Sequence, residues 1–157
     1  MQKITPFLWF DNNLEEAVSF YKNIFPQFKV ISQSRMPDLG PNQPGGMVMA
    51  EFEIFGQPFK AINGGPYFKF TEAVSFFIEC KDQAEVDHYW DTLVQDGGEH
   101  SQCGWLKDKF GVSWQVVPTA LGELMGDPDP AKAQRVSQAM MSMTKLDISK
   151  LEEAHRG

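Results

Sequence analysis

The sequence is short of cysteine, short of histidine and short of positive charge. Its two cysteines, Cys80 and Cys103, stand far apart without Cys-x-x-Cys spacing. Neither a disulfide framework nor a zinc ribbon is expected, and both are read as reduced thiols. The three histidines are scattered. His88 falls on the polar side of a helix pattern whose core side is Val86, Trp90 and Leu93, His100 follows a Gly-Gly-Glu loop end, and His155 lies in the tail, so each reads as an ordinary surface or loop residue. Against 21 Asp and Glu there are only 14 Lys and Arg, a net charge of -7. Nucleic-acid affinity needs clustered cations that displace counterions, and these are dispersed. No nucleic acid is expected as a partner; small molecules or proteins are. No apolar run approaches the roughly 18 residues that a membrane helix needs, and MQKITPFLWF has no long apolar segment ending at a cleavage site. No membrane partner is expected, and the location expected is cytoplasmic.

What is present is enough apolar matter for one core: 157 residues, 42% hydrophobic. A single domain over 1–157 is expected. ITPFLWF (4–10) reads as a strand, and DNN after it offers turn and N-cap chemistry. LEEAVSFYKNIF places Leu14, Ala17, Val18, Tyr21 and Phe25 at helical spacing and should stop at Pro26. FKVISQSRM is a strand, the Pro- and Gly-rich stretch 37–46 a loop, and MVMAEFEIF with QPFKAI a hairpin turned at Gly56. After the crossing segment NGGPYFKF the order starts again. VSFFIEC is strand-like, KDQAEVDHYWDTLVQDGG an amphipathic helix ending in a glycine pair, and SQCGWLKDKF with VSWQVVP a second hairpin.

The repetition is visible in the residues. An offset of 69 sets Asn13, Glu16, Ala17, Phe20 and Tyr21 against Asp82, Glu85, Val86, Tyr89 and Trp90. An offset of 55 sets Phe55-Gly56 against Phe110-Gly111 and Lys60 against Gln115. The expected fold is therefore α+β: two βαβββ modules, about 1–66 and 72–118, forming a curved mixed sheet with a central cleft, plus C-terminal helices over 119–157. In the tail, Asp129-Pro130 and Asp147 read as helix starts. Val136, Met140, Met141 and Met143 form an apolar stripe that packs on the domain or on a symmetric partner, and a homodimer is expected.

The stretch CGWLKDKFGVSWQVVP (103–118) holds the densest chemistry. Strand alternation sends Val112, Trp114 and Val116 towards a helix, and Ser113, Gln115 and Val117 towards the cleft. Lys-Asp-Lys-Phe-Gly reads as the turn. Cys103 would need a base or positive field to act as a nucleophile. No histidine holds a strand-compatible place beside it, so it reads as packing, and Cys80 as core.

The order of the two modules, the opening FLWFDNNLEEAVSFYKNIF, the link KAINGGP, and CGWLKDKFGVSWQVVP followed by LGELMGDPDPAKAQRVSQAM resemble the PhnB-like branch of the vicinal oxygen chelate superfamily. That superfamily includes glyoxalase I, bleomycin-resistance proteins and extradiol dioxygenases, and this branch carries the label demethylubiquinone 3-methyltransferase. The resemblance implies a divalent-metal site built from the first and last strands of each module. Its positions fall on Thr5, on Val74 or Ser75, on Lys60 and on Gln115. Lysine repels a metal, and threonine and serine are weak neutral ligands, so only Gln115 suits the role. No metal cofactor is expected, a divalent ion being the alternative. The methyltransferase label would need a glycine-rich strand-to-helix turn, and glycine pairs 45–46, 64–65 and 97–98 lie elsewhere.

The cleft lining expected from alternation is Thr5, Phe7, Trp9, Lys60, Ile62, Ser75, Phe77 and Gln115. Aromatic walls with one cation and one amide suit a small apolar or aromatic ligand bearing an anionic or carbonyl group. The expected function is small-molecule binding, with no catalytic residue assigned. The alternatives are a metal-dependent lyase, isomerase or dioxygenase using Gln115, Glu51 or Glu53 and His100, and methyl transfer.

Overall fold

A computed structural model describes residues 2–42 and 45–157. The chain divides into two compact units, Met1–Lys69 and Phe70–Gly157. Each contains a β-α-β-β-β succession whose four strands form one mixed sheet, and the fold class is α+β.

In the first unit, β1 (Phe7–Phe10), α1 (Leu14–Ile24), β2 (Phe28–Met36), β3 (Gly46–Ile54) and β4 (Gln57–Asn63) give the sheet order β1-β4-β3-β2. The β1–β4 pair is parallel and the others are antiparallel. Alternation buries Leu8, Phe10, Ala50, Phe52, Ile54, Phe59 and Ala61 together with Leu14, Ala17, Val18 and Tyr21 of α1. Phe52 anchors this core, stacked on Phe28 at 5.3 Å and on Phe59 at 5.4 Å between ring centres. The helix ends at Ile24, two residues before Pro26, whose ring disfavours helical geometry in the residue ahead of it.

Phe55 and Gly56 form the two-residue turn between β3 and β4, with φ of 50° and 78°. Positive φ at both central residues suits the twist of a tight hairpin. The strand expected from Ile4 begins only at Phe7. Ile4 is exposed, and Pro6 has no N–H to give a ladder, although its carbonyl accepts from Lys60 N at 2.9 Å. Thr5 is therefore outside the sheet. Of the 37–46 stretch, Gln43 and Pro44 lie outside the described residues, and β3 already begins at Gly46.

The second unit repeats the order with β5 (Ser75–Cys80), α2 (Gln83–Thr92), β6 (Glu99–His100), β7 (Trp105–Lys107) and β8 (Ser113–Pro118), arranged β5-β8-β7-β6. The residues matched at offset 69, Asn13 and Asp82, are the N-caps of α1 and α2. Asp82 accepts from Glu85 N at 2.9 Å. Asn13 makes no such bond, and Leu14 N instead donates to Asn63 Oδ1. The α2 helix stops at Thr92 rather than at the glycine pair, and turn residues bridge the interval.

Two expectations fail in this unit. SQCGWLKDKF is not one strand: only Trp105–Lys107 is extended, because Cys103 and Gly104 take left-handed φ of 58° and 84°. Val117 is not open to a cleft but buried within a cluster with Leu121, Val136, Leu146 and Leu151, and Ser113, although it lines a small cavity, is itself buried. Val112, Trp114 and Val116 are buried as the alternation requires.

The tail supplies that cluster. It forms α3 (Thr119–Met125), α4 (Pro130–Met141) and α5 (Ile148–Arg156), with Asp129 and Asp147 capping the last two. Met140 and Met143 pack against the cluster, whereas Met141 is exposed. The tail also grips the 101–104 loop. Cys103 N donates to Met143 O at 2.9 Å and Gly104 N to Thr144 O at 2.8 Å, while Gly104 O accepts from Val116 N at 2.7 Å. A Cβ on Gly104 would meet Val116 O at 2.8 Å and Leu146 Cδ1 at 3.1 Å, so glycine is required there. Among the described residues no helix is long and apolar enough to cross a membrane.

Candidate ligand-binding faces

Each sheet has one face packed on its helix and one that is not. In the first unit the register pairs Phe7 with Lys60 and Trp9 with Ile62, and sets Glu51 opposite Lys60 and Met49 opposite Ile62. These six side chains therefore share the helix-free face. Phe7 is 52% exposed. Lys60 Nζ lies 3.3 Å from Glu51 Oε1, both side chains half exposed. Trp9 is fixed at one end of the face: its Nε1 donates to Gly65 O at 3.0 Å and its ring meets Phe68 edge-on at 4.9 Å. A Cβ on Gly64 would come within 2.2 Å of the Trp9 ring. The Gly-Gly of KAINGGP thus exists to seat an aromatic wall.

In the second unit Phe77 pairs with Gln115, Ser75 with Ser113, and Trp105 with Gln115. Gln115 Nε2 donates to Ser75 Oγ at 2.9 Å. That bond leaves the amide oxygen as an acceptor and the serine hydroxyl as a donor. Phe77 is 54% exposed beside them. Of the eight residues expected to line a site, Phe7, Trp9, Lys60 and Ile62 share a face of one unit, and Ser75, Phe77 and Gln115 share a face of the other. Thr5 precedes β1 and has no register partner. The residues level with Lys60 and Gln115 are Phe7 and Phe77, not Thr5 and Ser75.

These side chains do not fit the metal that the superfamily pattern implies. Lys60 is a cation already engaged by Glu51, Phe7 and Phe77 have no donor atoms, and Gln115 turns its amide nitrogen to Ser75. Among the described residues no three His, Cys, Asp or Glu side chains are gathered as ligands. The groups weighed as alternative donors are otherwise employed. Glu51 faces Lys60, Glu53 stands opposite Lys29, and His100 stacks on Trp90 at 4.2 Å with its Nε2 2.9 Å from the Trp90 carbonyl. His88 meets Tyr89 edge-on, and His155 lies 2.8 Å from Asp127.

The residues also do not fit a nucleoside cofactor of the methyl-donor type. The two strand-to-helix turns read Asp11-Asn12-Asn13 and Lys81-Asp82, without glycine. Their helix N-terminal amides at Leu14 and Glu85 are filled by Asn63 and Asp82. Neither thiol is poised as a nucleophile. Burial first, and then the Glu85 carboxylate, push Cys80 up to about 12, and Cys103 is held in a left-handed turn.

Sequence reasoning missed Asp108. It is 2% exposed and accepts from Phe110 N and Val112 N through Oδ1 and from Trp114 Nε1 through Oδ2, all near 3 Å. The spacing Asp-Lys-Phe-Gly-Val-x-Trp held the signal: a carboxylate just before a loop and an indole donor six residues on. The Lys107–Glu72 ion pair was missed too, because Glu72 lies in a segment without periodicity.

The comparisons with known proteins agree with the duplicated architecture. The profile of a family described as 3-demethylubiquinone-9 3-methyltransferase matches residues 2–117, leaving α3 to α5 beyond it. A solved Bacillus cereus structure described as a putative 3-demethylubiquinone-9 3-methyltransferase, PhnB protein, is 37% identical. It is matched over 75% of this chain and 100% of that chain, with a TM-score of 0.67. A protein of Pseudomonas aeruginosa is 21% identical over 75% and 98% of the two chains, TM-score 0.59. The fosfomycin resistance protein FosX of Listeria monocytogenes, 18% identical over 78% and 94%, TM-score 0.55, shares the fold. No curated protein matches the chain.

Proposed function

The chain belongs to the PhnB-like branch of the vicinal oxygen chelate superfamily, described as 3-demethylubiquinone-9 3-methyltransferase, and from that premise we propose that it binds a small aromatic anion without a metal. The observation that carries this reading is the first sheet's helix-free face, where Lys60 stands between Phe7 and the Glu51 carboxylate, with Trp9 two residues along. An aromatic ring lies against Phe7, Trp9 and Ile62 by apolar burial. Its carboxylate or enolate takes the Lys60 ammonium in competition with Glu51. Lysine there does for an anionic oxygen what a cation ligand site would do, with a charge that needs no donor set. On the second sheet, Gln115 and Ser75 offer one acceptor and one donor to a carbonyl or hydroxyl group.

Methyl transfer has less support than the family's description suggests, since both strand-to-helix turns lack glycine and their amides are occupied. In this reading the protein works in the cytoplasm as a homodimer, with no nucleic-acid or membrane partner. The test is a titration of the full chain with benzoate. Saturable binding that Lys60→Ala weakens about tenfold supports it, the size expected of a charge-assisted contact. Binding indifferent to Lys60, or saturable heat with S-adenosylmethionine, contradicts it.

A further inference from the structure

A cavity of about 290 Å³ lies wholly within the second unit, lined by Glu72, Glu99, His100, Trp105, Lys107 and Ser113 among others. The register sets Glu99 opposite Lys107 and Lys107 opposite Ser113, so the three form one row on the face of the sheet turned away from α2. Ser113 is 1% exposed, and its Oγ has no hydrogen-bond partner. Its neighbours along the strand, Val112, Trp114 and Val116, are buried apolar side chains. Packing alone would be met as well or better by an apolar residue, because a buried hydroxyl without a partner is a net cost. The orphan hydroxyl therefore points to a polar group supplied from outside the chain.

Charge decides what that group belongs to. Lys107 is already bound to Glu72, which is the first cause of its raised pKa, so the ammonium is satisfied. Lys107, the one lysine of this cavity, faces two carboxylates: it is ion-paired with Glu72 and attracted more weakly by Glu99, so the carboxylates outnumber it. An anion would meet the excess of carboxylates, whereas an ammonium would meet Glu99 and the Trp105 indole, a ring system whose quadrupole attracts cations.

We propose that this cavity binds a small aromatic ammonium compound, with Glu99 and Trp105 holding the cation and Ser113 Oγ taking a polar group of the ligand. The volume is at the small end for ligand sites. The site is built from residues of the second unit alone and takes ligands of the charge opposite to those proposed for Lys60.

The test uses full-length protein and benzylamine, with benzoate and benzyl alcohol as controls of the same shape, read from the indole N–H resonance of Trp105. Benzylamine should shift that resonance saturably, and more tightly than either control. Glu99→Gln should weaken it about threefold, and Ser113→Ala about fivefold while leaving the thermal transition unchanged or raised. Lys60→Ala should leave benzylamine binding intact and weaken benzoate binding about tenfold, so the two readings fail separately. Binding of benzylamine no tighter than of benzyl alcohol, binding that survives both Glu99→Gln and Ser113→Ala, or binding lost in Lys60→Ala would each overturn the proposal. If Ser113→Ala does not fold, the hydroxyl is structural, and that too overturns it.

Discussion

The two sheets have the same strand order and opposite margins. In the first unit the edge strand β2 runs nine residues, almost all exposed, while its counterpart β6 in the second has two. The missing length is not left open. After β6 the chain enters the loop 101–104, pinned through Cys103 and Gly104 to the tail at Met143 and Thr144. A duplicated module can thus keep its inner pair of strands, which hold the register of the candidate site residues, while its edge is exchanged for a helical brace. The brace lies beyond the region that matches the family profile. The inner strands of both modules lie within it.

The largest effect that would sharpen this contrast is removal of the brace's central side chain. Leu146 is fully buried, and Leu146→Ala should destabilise the second unit by about 3 kcal/mol, transfer loss plus cavity. Amide exchange at Cys103 and Gly104 should rise while the Trp9 resonance keeps its position. Equal loosening of β2 and β3 would show that the two margins are not separately supported.

A smaller effect separates the two hairpin turns. The first is held by backbone shape at Phe55-Gly56, the second by the Asp108 carboxylate with its three donors. Asp108→Ala orphans those donors and should cost about 2 kcal/mol. Gly56→Ala, at φ 78° with open space around it, should cost only about 1 kcal/mol. Denaturant midpoints of the two variants check the order.

The inner strands, both helices and the caps were legible because period-2 and period-3.6 patterns and turn residues state them locally. Asn13 and Asp82 even marked both N-caps at a fixed offset. The edges were not legible. Ile4 and Thr5 have strand propensity, but Pro6 cuts the ladder. SQCGW alternates like a strand, but the tail, 40 residues on, bends it at Cys103. Ser113 and Val117 were placed on an open face by parity alone, and parity says which side a residue faces, not what covers that side. The candidate site was readable as a row of side chains, while its pairings (Lys60 with Glu51, Gln115 with Ser75) depend on register between strands.

The smallest effect is on acid response. Gln83 and then Lys145 hold Asp87 below its ordinary value, and the Asp129 N–H and then His155 do the same for Asp127. Folded-state values below 3.8 mean that this stabilisation is present above pH 3.8 and is lost as pH falls through the lowered values. Glu72 behaves likewise through Lys107, and the first unit has the exposed Glu15–Arg35 pair. All four carboxylates are on the surface, so the effect is modest and screened by salt. Acidification should broaden the Trp90 and Trp114 resonances before that of Trp9, and the reverse order would break the comparison.

The central claim is that a lysine–glutamate pair on the first sheet replaces the metal of the superfamily pattern. Chelator-treated protein titrated with benzoate, wild type beside Glu51→Gln, tests it most directly. The account predicts saturable binding without metal, tightened several-fold when Glu51 no longer competes for Lys60. No binding until a divalent ion is restored, with Glu51→Gln indifferent or harmful, would contradict it.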